Sequence, residues 1–378
     1  MKLPPFKLVT TVFEWQNTLT RLQSEARLAI DLEANSLFAY RERVCLVQIS
    51  ITGQDYIIDP LTDLDLSGLG AIIGDPKVEK VFHAAEYDLV LLKRQYGWVC
   101  ENLFDTMWAA RILGYARYGL ANLLESFYKV KLDKRHQKAN WSKRPLPSNQ
   151  LTYAQTDTHF LLSLRDKFAL ELEATGRMEE AQEIFSEQCH VQVNSSKFDP
   201  NSFWSINGVH DLKPRQQAIV KALHIYRDQL ASQQNRPPFK IYDDRTIIEL
   251  AKTEPQLIED LPGIHGMSKG QIRRYGRKIL RVISEAQRGP APQKPRTNSR
   301  RPPDVIANRY ERLRNWRKKR AQARGVESDV ILSRDILWDL AWQNPKTSDD
   351  LEAIRSLGPW RRERYGDEIL RILHRRKY

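Results

Sequence analysis

The 378-residue sequence predicts an α/β domain, a mixed sheet flanked by helices, followed by two all-α modules. Three observations carry this reading. The first half alternates short apolar runs with helical patterns, only helical patterns remain beyond residue 205, and that helical half repeats itself at a spacing of 90 residues. At this length two or three cores are expected rather than one, and an apolar content of 41% can fill them.

Taken in order, residues 28–32 (LAIDL), 44–51 (VCLVQISI), 55–58 (DYII) and 80–83 (KVFH) read as strands, with turn signals such as Thr52-Gly53-Gln54 between them. The first three follow one another on short connections and are expected to form an antiparallel meander. Helical spacing follows at 87–96, 106–113 and 121–128, and then over a long run at 149–175 for which Ser148 is the expected N-cap. Beyond residue 205, a shift of 90 places Leu223, Arg227, Ile241, Leu250, Leu261, Tyr275, Gly276 and Ile279 on Leu313, Arg317, Ile331, Leu340, Leu351, Tyr365, Gly366 and Ile369 without a gap. One helical module is therefore present twice. Tyr226 falls on Trp316, an aromatic exchange at an expected core position. The expected organisation is a first domain at 1–195, modules at 208–288 and 304–378, and a linker at 289–303. The stretch 288–303, with five prolines, five basic residues and no acid, cannot pack a core and should leave the modules free to move.

Charge is distributed unevenly. Of the net +13, residues 1–196 carry 22 Lys and Arg against 25 Asp and Glu, leaving 38 against 22 in the remainder. Such separation predicts an acidic catalytic part carrying hard cations and a basic part that holds a polyanion. Residues 309–324, RYERLRNWRKKRAQAR, have eight basic residues and one acid and are expected against phosphates, with Trp316 on the buried stripe. Arg300, Arg301 and the terminal HRRKY add to the same field. Cys45, Cys100 and Cys189 form no CxxC pair, which argues against a disulfide framework or zinc site and for a reducing cytoplasm. No stretch of about 18 uncharged apolar residues offers a membrane span, and residues 1–13 show no apolar core resembling a signal peptide, so a soluble, unexported protein is expected.

The chemistry lies in four carboxylates and a tyrosine. Asp31 and Glu33 in LAIDLEA alternate along one strand and project from one face. Tyr153 and Asp157 in YAQTDTHFLL are one helical turn apart and point the same way. Asp88 stands at a helix start in VFHAAEYDLVLL. Carboxylate oxygens without a neighbouring Cys/His cluster suit Mg²⁺ or Mn²⁺, and a pair of such ions about 4 Å apart serves phosphodiester hydrolysis. In this arrangement Asp31 would bridge two ions, Glu33 and Asp157 would complete one site, and Asp88 would support the second ion through water. Tyr153 orients the attacking water, because a phenol of pKa about 10 is a weak base. Asp105 is expected as a helix N-cap and Cys45 as core. Lys134, Arg135, Lys138, Lys143 and Arg144 form a basic group placed to clamp phosphates near the cleaved bond, with Trp141 either stacking a base or filling core.

On these motifs the chain resembles ribonuclease D, in the tyrosine-bearing branch of the DEDD 3′-to-5′ exonucleases. Asp31-Leu32-Glu33 is similar to the first exonuclease motif, residues 83–88 to the second, and Tyr153-Ala-Gln-Thr-Asp157 to the third. Leu132-Asp-Lys134, Gln137 and residues 141–146 look like the segment that precedes the third motif, and the 90-residue repeat looks like two HRDC domains. The resemblance implies a ribonuclease H-like DEDD exonuclease fold for the first domain. It further implies substrate contacts at His83, Lys134, Gln137, Trp141 and Arg144, with a core role for His83 equally open. The implied substrate is the single-stranded 3′ end of RNA, tRNA precursors above all, processed to 5′-mononucleotides by a monomer. One departure is Leu32 and Ala34, where relatives often carry an aromatic residue or Thr, so the wall against the terminal base should differ. The rival readings are an exonuclease acting on DNA ends and an idle nucleic-acid-binding scaffold. The scaffold's cue would be a missing carboxylate, and none is missing.

Overall fold

The computed structural model describes residues 3–193, 197–293 and 302–374, with the side chain of Lys134 outside the described part. The expected linker therefore falls largely outside the described residues, as do Arg300, Arg301 and the last four residues of the HRRKY tail. The chain forms two compact units: Met1–Ala34, Val44–Val193 and Ser299–Tyr378 make the first, Asn35–Arg43 and Asn194–Asn298 the second. Among the described residues no helix is long and apolar enough to cross a membrane.

The first unit opens with β1 (Lys7–Val9), α1 (Val12–Gln23), β2 (Arg27–Ala34), β3 (Val44–Ile51) and β4 (Gln54–Ile58). It continues through α2 (Ser67–Ile73), β5 (Glu79–Phe82), α3 (Glu86–Tyr96), β6 (Leu103–Asp105), α4 (Thr106–Ile112) and α5 (Leu120–Tyr128). A 3₁₀ turn at Lys134–Lys138 leads to α6 (Ser148–His159), α7 (Leu161–Ala174) and α8 (Met178–Cys189). The six strands lie in the order β1-β4-β3-β2-β5-β6. The expected meander is present, β2 with β3 and β3 with β4 being antiparallel, while β1, β5 and β6 join in parallel. β1 and β6 were not expected from the sequence, because three residues are too few for an alternation to register. α1 was also missed, although Thr11 and Glu14 form a capping box at its start.

The long helical run expected at 149–175 is instead two helices that part at Phe160. Ser148 is their first helical residue and not their cap, which is Pro147. The two halves serve different surfaces. The end of α6 is tied to the edge of the meander, where Gln155 donates to Asp55 at 2.6 Å and His159 Nδ1 meets the same carboxylate at 2.8 Å. α7 buries Leu164, Phe168 and Leu172 in the main core.

The second unit contains α9 (Pro214–Gln233), α10 (Asp244–Thr253) and α11 (Lys269–Arg288). The first unit resumes with α12 (Asp304–Arg324), α13 (Ser328–Ile331), α14 (Arg334–Gln343), α15 (Ser348–Glu352) and α16 (Pro359–His374). α9, α10 and α11 begin 90 residues before α12, α14 and α16, so the repeat of sequence is a repeat of structure. Its internal bonds repeat too: Arg227 donates to the Tyr242 carbonyl at 3.1 Å, and Arg317 to the Leu332 carbonyl at 2.8 Å. Gly276 and Gly366 have the same reason to be glycine. A Cβ would stand 3.0 Å from the Leu261 methyl in one copy and 3.1 Å from the Leu351 methyl in the other. Trp316 differs from expectation: it is half-buried, and its indole donates to Glu368 at 2.7 Å, because a polar tip needs a partner at a boundary.

The second module docks on the α/β domain within the first unit. α8 offers Glu180, Glu183 and Glu187, and α12 and α16 meet them with Arg324 and Arg361. Arg324 forms a fork on Glu180, at 2.6 and 2.9 Å. Arg111 on α4 reaches Glu327 and Asp329, both at 2.6 Å. Part of the charge separation seen in the sequence, the Arg324 and Arg361 pairs with the acids of α8, therefore serves an internal interface.

Candidate active site

Strand alternation places Asp31 and Glu33 on the face of β2 that α6 covers, and one turn of α6 brings Tyr153 and Asp157 down onto it. Carboxylate oxygens of Asp31, Glu33 and Asp157 lie within 4.8 Å of one another. Asp88, buried in the first turn of α3, faces the same group electrostatically. β5 delivers this second motif through a turn in which Ala84 has a φ of 63°, a left-handed conformation. Asp105 holds that turn. Its carboxylate accepts from the Ala84 and Ala85 amides at 3.0 and 2.8 Å, and from the Met107 and Trp108 amides at 2.8 and 3.2 Å as the cap of α4.

Three carboxylates this close, Asp157 buried and Asp31 and Glu33 half-buried, repel one another and lose hydration. Burial pushes Asp31 up to about 7. Glu33 and Asp88 are raised well above the usual carboxylate range, by burial first and by the neighbouring acids second. Burial and then Asp31 raise Asp157 likewise. An all-oxygen, anionic and partly dehydrated donor set fits a hard divalent cation, which would relieve the repulsion. Gln48 supports the fit: it pairs with Asp31 across the β2–β3 ladder, is fully buried, and its amide has no hydrogen-bond partner among the described residues.

The raised carboxylates make stability pH-dependent. With the Asp31 pKa at about 7 in the fold against an ordinary 3.8, the metal-free folded protein binds more protons than the unfolded chain between these values. Its stability should therefore fall as pH rises through that window. Thermal melts in chelator are expected to show this fall, and added Mg²⁺ should raise the melting temperature more at pH 8 than at pH 5. A Mg²⁺ effect that is equal at both pH values would count against the cluster as the cation site.

Tyr153 hydrogen-bonds Asp157, and its phenol is pushed far above its ordinary pKa, by burial first and then by Asp157, Glu33 and Asp31. Its ring rests between Trp141, with centroids 6.2 Å apart, and His136, at 5.6 Å. Trp141 is 1% exposed, so of its two readings the structure takes core: the indole walls the tyrosine and has no face left for a base. Arg144 is likewise placed differently from expectation. Its guanidinium pairs with Asp59 and donates to the carbonyls of Cys45, Trp141 and Lys143 at 2.7 to 2.8 Å. That clasp fastens the segment before α6 to β3 and β4 and leaves little for a phosphate. Arg135 is paired with Asp133 at 2.5 Å.

A cleft of about 420 Å³ opens over the carboxylates, lined also by His83, Tyr87, Gln137 and the start of α5. His83 and Gln137 thus stand at the cleft as expected. His83 Nδ1 meets the Thr106 hydroxyl at 3.0 Å, and burial lowers its pKa to about 4, so the ring is neutral at physiological pH. Gln48, His136 and the α5 start were missed in the sequence. Gln48 had a signal, the one amide in the largely apolar strand VCLVQISI, whereas His136 and Gly119–Asn122 gain their place only through folding.

A 3′-5′ exonuclease family model matches residues 6–173, and an HRDC domain model matches 216–283 and again 307–373. Ribonuclease D of Acidiphilium cryptum is 31% identical over 361 residues, covering 93% of this chain and 89% of that protein. Protein RRP6-like 1 of Arabidopsis thaliana is 31% identical over 81% of this chain, which spans about half (50%) of that protein's length. The crystal structure of Escherichia coli RNase D shares the fold, with a TM-score of 0.69 at 23% identity over 99% of this chain and 100% of that one. Carrying the exonuclease match, two HRDC matches and 31% identity to the Acidiphilium cryptum ribonuclease D along nearly its whole length, the chain belongs to the ribonuclease D family, DEDD exonucleases that work with divalent metal ions.

Proposed function

We propose that this chain is a 3′-to-5′ exoribonuclease that releases 5′-mononucleotides from single-stranded 3′ ends, tRNA precursors among its substrates. One observation carries the reading: the Asp31, Glu33 and Asp157 carboxylates converge beside Tyr153 under a cleft of about 420 Å³. The ribonuclease D relatives at about 30% identity supply the preference for RNA. Asp31, Glu33, Asp157 and Asp88 would hold two Mg²⁺ or Mn²⁺ ions, which when bound neutralise charge on the attacking and leaving oxygens. Tyr153, its phenol kept protonated, donates or accepts a hydrogen bond that aims the attacking water but does not remove its proton. Neutral His83 and exposed Gln137 offer hydrogen bonds to the terminal nucleotide from the cleft wall. The three buried free thiols, Cys45, Cys100 and Cys189, fit a reducing compartment, and we place the enzyme in the cytoplasm, as a monomer.

The test is a time course on 5′-labelled single-stranded RNA and matched DNA with Mg²⁺. A ladder shortening from the 3′ end, 5′-mononucleotide product and faster loss of RNA are expected. Internal cuts, or DNA consumed faster than RNA, would reject the reading. In the same assay at saturating Mg²⁺, Tyr153→Phe should slow turnover roughly 10²-fold, the range of a positioned catalytic group. Unchanged turnover would leave the phenol as packing alone.

A further inference from the structure

The two helical modules share a register yet differ in charge at their last helix. Residues 269–284 of α11 hold six basic residues and no acid, whereas the aligned residues 359–374 of α16 hold four basic and three acidic. Arg273, Arg277 and Lys278 fall on Glu363, Asp367 and Glu368.

In the second module opposite charges meet inside the unit. Glu368 takes Arg320 and the Trp316 indole, Arg309 and Arg317 donate to backbone carbonyls, and Arg324 is bound to Glu180. The most basic run of the sequence is thus largely spent on holding its own module together and docking it. On α11 the situation is reversed. Arg273, Arg274, Arg277 and Lys278 are exposed, and none has an ion-pair partner among the described residues. The opposite side of the helix is buried through Tyr275, Gly276, Ile279 and Ile283. Spacings of one, four and five residues gather the four cations on one face, where like charges a turn apart cost the helix a few tenths of a kcal/mol each.

A surface that keeps this repulsion fits an anionic partner. Arginine forks match phosphate oxygens in pairs. Among the described residues of α11 no large apolar side chain is strongly exposed, so the buried anchor that a protein interface is built around is missing. We infer that the Arg273, Arg274, Arg277 and Lys278 face of α11 binds the phosphate backbone of the RNA substrate. This rests on the exoribonuclease reading above for the identity of the polyanion.

The experiment uses the full chain with Arg273→Gln, Arg277→Gln and Lys278→Gln combined. Affinity for a single-stranded oligoribonucleotide is measured in chelator at several salt concentrations, and hydrolysis of a dinucleotide is measured with Mg²⁺. Losing three phosphate contacts should weaken binding at least about tenfold at low salt and flatten the log-log salt slope by roughly 2. Dinucleotide hydrolysis should match wild type. Arg273→Lys with Arg277→Lys should keep the slope, which a loss through misfolding would not. Unchanged affinity and slope in the triple variant would overturn the assignment and turn attention to an acidic protein partner. A larger effect from Lys318→Gln with Lys319→Gln, exposed on α12, would overturn it in favour of the second module. A wild-type chain that binds RNA through α11 but leaves the dinucleotide intact would uphold the face while rejecting the exonuclease reading.

Discussion

Asp31→Asn and Asp157→Asn are each expected to lower exonuclease turnover by about 10³-fold or more while RNA binding survives. Each substitution keeps the size of the side chain and removes one of the charges in a cluster whose oxygens lie within 4.8 Å. Losing a ligand shared by the cluster removes several kcal/mol of transition-state stabilisation, and about 1.4 kcal/mol corresponds to each factor of ten. The same variants should melt higher than wild type in chelator at neutral pH, because one of the mutually repelling carboxylates has been removed. Turnover within tenfold of wild type in both variants would refute the assignment of these carboxylates.

Arg324→Met should destabilise the first unit by about 3 kcal/mol or more, in the range found when one partner of a buried ion pair is deleted. Glu180 is 1% exposed and is held by a two-pronged arginine fork, with Arg177 a more distant neighbour at 3.6 Å. The variant strands that carboxylate away from water. Adding Glu180→Leu should recover most of the loss, since two apolar side chains can replace a buried pair at little cost. Denaturant unfolding of wild type, Arg324→Met, Glu180→Leu and the double variant checks this, and a double variant no more stable than Arg324→Met would show that packing and not charge holds the module. A further consequence concerns truncation. Cutting away the second module would expose the acidic face of α8.

The carboxylate set was legible in the sequence because alternation along β2 and the turn of α6 are local geometries that residue spacing encodes. The 90-residue repeat was legible for the same reason: Gly276 and Gly366, or Leu261 and Leu351, mark a packing pattern that recurs in register. Roles that depend on distant partners were not. Trp141 and Arg144 lie in a polar, basic segment that reads as a substrate clamp, yet the indole walls Tyr153 and the guanidinium clasps Asp59, 85 residues earlier. Asp105 reads as a simple helix cap and also proves to hold the left-handed turn before Asp88.

By itself, then, the sequence determined which groups can ligate a cation, which helices recur, and that the C-terminal half is basic. Only the tertiary structure decided where that basic charge goes. An arginine is silent about its partner until folding brings one within reach, as α8 brings Glu180 to Arg324 across 144 residues of chain. Burial and ion pairing depend on what packs against a side chain and not on its neighbours in sequence. For that reason the arginines of the densest basic run are bonded within the first unit, while the less conspicuous row on α11 is left facing solvent.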